Sequence, residues 1–248
     1  MTVDAKSVEE VPAVEPFPTG VDYSGSGEPE DVLRWALDKY HPRIVLSTSF
    51  KDAVLIDMMS RIRPDFRVIA LDTGRLNEET YELSEEIRNH YNIAIEWYFP
   101  RPEFVEKLEG QKGLFSFRES LENRRECCYI RKVEPLSRAL TGVDAWITGL
   151  RQDQGETRSA VKKIELDQVH GDIIKVNPLA DWDQDRIWSY IRANDIPYNR
   201  LFDQDYASIG CEPCTRPIQP GDDPRSGRWW WERPEHKECG IHVQDWSI

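Results

Sequence analysis

From residue 30 onward, apolar positions fall into two alternating rhythms. Val32, Leu33, Ala36, Leu37 and Tyr40 share one helical face, and His41-Pro42 ends the run. Residues 43–49 (RIVLSTS) form a short apolar stretch that runs into a polar turn, which predicts a strand. The same alternation continues with a helix over 53–62, a strand over 66–72 (FRVIALD), a helix over 77–91 and a strand over 93–99 (IAIEWYF). A fourth strand over 145–148 (AWIT) precedes Gly149, and residues 183–194 read as another helix. After about Asn199 the periodicity fades into turns, Pro, Gly and Trp. Strands alternating with helices need right-handed crossovers, which predicts a parallel sheet covered on both faces. The expectation is a three-layer α/β domain over roughly 30–200, followed by an irregular C-terminal segment.

Open sheets of this kind bind ligands at the carboxyl ends of their strands. Three polar loops fall there: 47–52 with Ser47 and Ser49, 72–75 with Thr73, Gly74 and Arg75, and 149–154 opening on Gly149. A Ser-rich turn before a helix is by itself more often an N-cap. Three such loops on successive strands favour a nucleotide site.

Composition narrows the partners. The net charge of −13 argues against a general binder of nucleic acid or anionic membrane, while leaving room for a local basic pocket. The hydrophobic fraction of 39% is low, but the aromatic residues, nine of them Trp, supply large buried areas for one sizeable core. No apolar run reaches the roughly 18–20 residues of a membrane span. The start of the chain has neither a basic stretch nor an apolar h-region, so the expectation is a cytoplasmic protein without a secretory signal. Residues 1–29 carry six acids against one Lys, with four Pro and three Gly. That composition predicts a disordered acidic tail.

The five cysteines carry the most information. An odd count without a signal argues against a disulfide framework. Cys127 and Cys128 are adjacent, Cys211 and Cys214 form a C-x-x-C, and Cys239 stands alone. Zinc, a redox dithiol and simply buried thiols are the plain alternatives for the first four. Adjacent ligands to one zinc ion are geometrically awkward, whereas an iron–sulfur cluster offers a different iron to each thiolate. Lys132 follows Cys128 by four residues and returns to its face on a helix, where it can steady an anionic centre and reach a bound anion. Cys239 lies between Lys237 and His242 in a Gly- and Pro-rich stretch, which suits an accessible, activated thiol. Just upstream, Arg225 and Arg228 flank a turn before three consecutive Trp, and arginines bind phosphate or sulfate oxygens in bidentate fashion.

Taken together, Cys-Cys-x-x-Arg-Lys, C-x-x-C, Arg-Trp-Trp-Trp-Glu and a terminal Glu-Cys-Gly-Ile-His resemble the assimilatory adenylylsulfate (APS) reductases of the PAPS/APS reductase family. The resemblance covers about 30–248. It implies an adenine nucleotide α-hydrolase-like (PP-loop) fold and reduction of APS to sulfite and AMP by thioredoxin or a similar dithiol. It also implies one 4Fe–4S cluster on Cys127, Cys128, Cys211 and Cys214, and catalysis by Cys239 through an S-sulfocysteine. In its light the chain divides into the tail 1–29, a sulfonucleotide and cluster body over 30–220, and a flexible catalytic segment over 221–248. Lys132, Arg158, Arg225, Arg228 and His242 are the candidates for neutralising the sulfate, with Thr157-Arg158 matched to the family's sulfate-contacting pair. Many members have Gly in the first loop, where this chain has Ser49-Phe50-Lys51. PAPS-using relatives commonly lack the four paired cysteines. An ATP pyrophosphatase-type thiolation enzyme would want a Gly-rich loop that residues 47–53 do not provide. A non-catalytic metal-bearing interaction module, docking through residues 229–231, would have no use for Cys239.

Overall fold

Strand β1 (Ile44–Thr48) is buried over its first three residues, as a strand covered on both faces must be. Its side chains divide between two cores. Ile44 and Leu46 join a large cluster beneath helices α1 (Pro29–Tyr40), α2 (Val54–Ile62), α3 (Glu78–Tyr91) and α7 (Gln184–Asn194). Val45 joins Ile69 and Trp146 on the opposite face, against Leu136 and Ala139 of α6 (Glu134–Ala139). The result is three layers. These coordinates are a computed structural model that describes residues 27–242.

The sheet runs β3 (Ile95–Tyr98), β2 (Arg67–Leu71), β1, β4 (Ala145–Ile147), β6 (Ile173–Val176), β5 (Ile164–Asp167). Strands β1, β2, β3, β4 and β6 run parallel to one another, whereas β5 pairs antiparallel with β6. The expected all-parallel sheet therefore carries an antiparallel edge. An edge hairpin needs only a turn, here through Gly171 and Asp172 at φ 92° and 59°, and no helical crossover. The predicted helices and strands each appear within two residues of their expected limits.

Three further helices lie between β3 and β4: α4 (Pro102–Lys112), α5 (Leu121–Cys128) and α6. Ser120 starts α5 by accepting a hydrogen bond from Asn123 N at 3.2 Å. A π-helical turn over Tyr129–Val133 joins α5 to α6. Beyond α7 the described chain contains only short 3-10 turns and two isolated bridges, Tyr198 with Asp52 and Thr215 with Arg228. Among the described residues no helix is long and apolar enough to cross a membrane. Residues 1–26, and with them most of the expected acidic tail, lie outside the described residues; Pro29 already belongs to α1.

Candidate active site

The strand order reverses between β1 and β4, and the crevice outside their carboxyl ends is where an open α/β sheet receives a ligand. Polar side chains shape that rim. At the end of β1, Thr48 Oγ1 accepts from Phe50 N at 3.2 Å, and Asn199 Nδ2 donates to the Phe50 carbonyl at 3.2 Å. Phe50 stands at φ 49°, the left-handed conformation that favours glycine. The turn thus keeps its shape with a Phe because these bonds and the burial of the ring hold it. At β4, Thr148 Oγ1 accepts from Leu150 N in the same way, at 3.2 Å.

A cleft of about 200 Å³ opens there. Of the residues singled out in the sequence, Ser47, Ser49, Thr73, Lys132 and Gly149 line it, as do Arg158, Arg225, Arg228, Cys211 and Cys239. Gly74 and Arg75 do not. The Gly74 amide turns back to Asp72 Oδ1 at 2.7 Å, while Arg75 pairs with Glu109 and lies 5.0 Å over the Phe117 ring. The side chain of His242 lies outside the described residues. Lys51, Arg151 and Glu238 also line the cleft. Lys51 and Arg151 sit in the strand-end loops recognised in the sequence, but isolated basic residues there gave no signal of convergence.

The cleft wall is strongly cationic. Burial, reinforced by the charges of Arg158, Arg228, Arg225 and Arg151, pushes the Lys51 ammonium well below its ordinary value. Burial and Arg158 likewise bring Arg225 down to about 10, against the opposing pull of Glu238. Arg228 reaches the cleft across Gly210. A Cβ at Gly210 would stand 2.3 Å from Arg228 Nη2, so only glycine admits the guanidinium there. Its Nη1 donates to the Ile209 carbonyl at 3.2 Å, while its buried Nε has no partner.

Beside this cleft lies a small second cavity whose lining includes Cys127, Cys128, Cys211 and Cys214. All four are free thiols brought from α5 and from the 3-10 turn Glu212–Cys214. Arg75, Arg124, Arg131, Lys132 and Arg228 border the same cavity. Lys132, Cys211, Arg228 and Trp229 face both cavities and so form the wall between them. Four thiolates would suit that surplus of cations. Among the described residues no three His, Cys, Asp or Glu side chains converge closely enough to hold a single ion.

Cys239 is not the exposed thiol its Gly- and Pro-rich surroundings suggested. It is 6% exposed, and the neighbouring Cys128 thiol and the Lys132 ammonium hold its pKa well below the ordinary thiol value. Arg124, itself 1% exposed, explains the burial. Its guanidinium pairs with Glu232 at 2.6 Å and donates to the carbonyls of His236 at 2.8 Å and Glu238 at 3.2 Å. It also lies 4.6 Å from the Trp229 ring centre. One side chain of α5 therefore ties the C-terminal segment over the cysteine cavity. In the sequence Arg124 looks like any charge on a polar helix.

A family profile described as "Phosphoadenosine phosphosulfate reductase domain" matches residues 42–217. An adenosine 5'-phosphosulfate reductase of Pseudomonas aeruginosa (strain LESB58) is 43% identical over 240 residues, covering 94% of this chain and 89% of its own. Another from Allochromatium vinosum is 47% identical over 206 residues, covering 82% of this chain and 80% of its own. Among solved structures, a phosphoadenylyl-sulfate reductase from Candida auris superposes with a TM-score of 0.65 at 33% identity, covering 77% of this chain and 91% of that one. A Candida glabrata FMN adenylyltransferase shares the fold at 16% identity, with a TM-score of 0.53 over 88% of this chain and 75% of that one. On these matches, the chain belongs to the phosphoadenosine phosphosulfate reductase family.

Proposed function

We propose that this protein is an adenylylsulfate reductase of assimilatory sulfate reduction, converting APS to sulfite and AMP with electrons from thioredoxin or a similar dithiol. The names of its relatives from P. aeruginosa and A. vinosum support the substrate. The observation that carries the reading is the convergence of Lys51, Arg151, Arg158, Arg225 and Arg228 on a cleft that also contains the Cys239 thiol. Such a wall neutralises an anionic substrate that an anionic thiolate must approach.

Ser47, Ser49, Thr73 and Gly149, which line the cleft, would bind the nucleotide, and Lys132, Arg158, Arg225 and Arg228, which also line it, would neutralise the sulfate. His242 keeps its proposed sulfate role from sequence alone, as do Gly74 and Arg75 their nucleotide roles. The Cys239 thiolate attacks the sulfate sulfur. The bond from sulfur to the bridging phosphate oxygen breaks, and AMP leaves with its electron pair. Cys239 is left as an S-sulfocysteine. A thiolate of the external dithiol then attacks the Cys239 sulfur and displaces sulfite, and its second thiol resolves the mixed disulfide. The dithiol is oxidised to a disulfide, and sulfur falls by two electrons from sulfate to sulfite.

Cys127, Cys128, Cys211 and Cys214 would hold one 4Fe–4S cluster. Their common cavity and its border of cations support that assignment. The chemistry a bound cluster supplies is an anionic, polarisable centre, which Lys132 faces together with the substrate anion. The expected catalytic segment is 221–248, of which 243–248 lie outside the described residues. Its part up to His242 would carry Cys239 between substrate and reductant, and the cytoplasm is the proposed site of action.

Weighing the protein after incubation with APS and no reductant tests the reading. The wild type gains one sulfonate on Cys239, which thioredoxin removes as sulfite. Cys239→Ser keeps its iron and visible colour and gains nothing. A sulfonate on any other cysteine, or a larger kcat/KM for PAPS than for APS, sinks the assignment.

A further inference from the structure

The turn after β1 is clamped from outside the cleft, by the stretch that follows α7. Tyr198 bridges Asp52 in antiparallel fashion. On either side of that bridge the Ala53 amide donates to the Pro197 carbonyl at 3.1 Å, and the Asn199 amide donates to the Lys51 carbonyl at 2.8 Å. The Asn199 side chain completes the clamp. Its Nδ2 donates to the Phe50 carbonyl at 3.2 Å and to Thr80 Oγ1 of α3 at 3.1 Å, while its Oδ1 accepts from the Leu201 amide at 3.1 Å. Asn199 is fully buried, and both hydrogens of its side-chain amide are used. It does not line the cleft, so it cannot touch a ligand there.

We propose that Asn199 is a positioning residue for the reaction, which holds the loop after β1 in the one turn that presents the Lys51 ammonium to the substrate anion. The inference rests on the reading of the cleft as the sulfonucleotide site. Its physical basis is the direction of one peptide group. Phe50 stands at φ 49° and packs its ring into the large core, 5.4 Å from that of Trp97. Lys51 follows it and lines the cleft. The Phe50 carbonyl belongs to the peptide that joins the two, so its direction sets where the Lys51 side chain starts. Glycine would take the left-handed turn at no cost, whereas phenylalanine needs its surroundings to hold it there. Asn199 supplies that hold. Without its donor the buried carbonyl turns to find another, and the Lys51 side chain turns with it. The backbone bonds of Pro197 and Asn199 do not depend on the Asn199 side chain and keep the two stretches together.

A double-mutant cycle on AMP affinity tests this in the iron-containing protein, with Asn199→Ser and Lys51→Met made singly and together. Serine stays neutral and can still accept from the Leu201 amide, but it is too short to reach the Phe50 carbonyl. Each single change should weaken AMP binding about tenfold, and the pair also about tenfold, because Asn199 acts through Lys51. A merely structural Asn199 would weaken binding in both backgrounds, for a loss of about a hundredfold in the pair. Proton uptake gives an independent reading. Burial and four arginines depress the Lys51 pKa and a bound dianion raises it, so the wild type takes up protons with AMP. Asn199→Ser should lose that uptake. Wild-type affinity in Asn199→Ser, additive losses in the cycle, or uptake that survives the serine each overturn the proposal. So does a failure of both Asn199→Ser and Asn199→Ala to fold by circular dichroism, since Asn199 would then be structural. Failure of wild-type protein to bind AMP or to take up a sulfonate from APS would instead strike the proposed function.

Discussion

Gly210 shows how much of the site hangs on one missing carbon. The Arg228 guanidinium occupies the space a Cβ would take, so Gly210→Ala has to push it out of the cleft. Expected is a loss of AMP affinity close to that of Arg228→Ala, about 1.5–3 kcal/mol for a hydrogen bond to a charged group, measured by calorimetry. An alanine protein with wild-type affinity would remove Arg228 from the anion site. Lys51 supports a second prediction, about pH. In the free protein burial and four arginines depress its pKa, and a bound dianion raises it again. Between those two values the complex holds a proton that the free protein lacks. AMP binding should therefore take up protons and weaken as pH rises through that window. Calorimetry in buffers of different ionisation enthalpy measures the uptake; Lys51→Met should abolish it. Neither residue was conspicuous in the sequence. Cysteines announce chemistry by their scarcity and spacing, whereas a lysine or glycine acquires its role only from what the fold places opposite it.

At the scale of elements, legibility follows burial. The helices and strands around β1 show in the sequence because each faces the large core, so periodicity records it. Helix α5, with the sequence LENRRECC, has no apolar stripe, because Arg124 and two cysteines occupy its buried side. The hairpin of β5 and β6 also escaped notice, since β5 is an edge strand only half-buried over three of its four residues. The junction of α5 with α6 is a single π turn, and such turns frequently mark functional sites. Its extra residue sets the rotation of Cys127 and Cys128 relative to α6, which is anchored on the sheet by Leu136 and Ala139. Deleting Ile130 would convert the turn to regular helix and rotate α5 by about 100°, one residue of an α-helix. The expected product keeps its sheet by circular dichroism but purifies without iron. A contrasting change lies far from the cysteines. Asp183 caps α7 by accepting from Arg186 N at 2.8 Å, so Asp183→Ala should lower stability by about 1 kcal/mol in urea titration and leave iron content unchanged.

The described molecule has two cores of different character that meet at one wall. The sheet and its helices close a core of ordinary aliphatic and aromatic residues. The second core gathers Leu108, Phe117, Ile130 and Trp229 around Cys127, Cys211, Cys214 and Cys239, and no strand runs through it. Trp229 adopts φ 39°, an unusual conformation that its surroundings must hold. Arg228 and Arg124 lie 4.5 and 4.6 Å from the Trp229 ring centre, and Arg124 is also paired with Glu232. A cluster on the four cysteines would add negative charge beside these cations and tie α5 to the turn Glu212–Cys214. Removing it should therefore loosen one core and spare the other. The measurement is amide hydrogen exchange before and after iron is stripped with a chelator. Protection in residues 115–131 and 205–241 should fall by about tenfold or more, a local loss of roughly 1.4 kcal/mol. Protection of β1, β2 and β4 should hold within error, since their hydrogen bonds close within the sheet. Cys211→Ser, which opens one ligand position, should give the same pattern. Uniform deprotection would mean that the two cores fold as one unit. Unchanged exchange at residues 205–241 would mean that the cysteines pack as plain hydrophobic residues, and the metal centre would lose its structural argument.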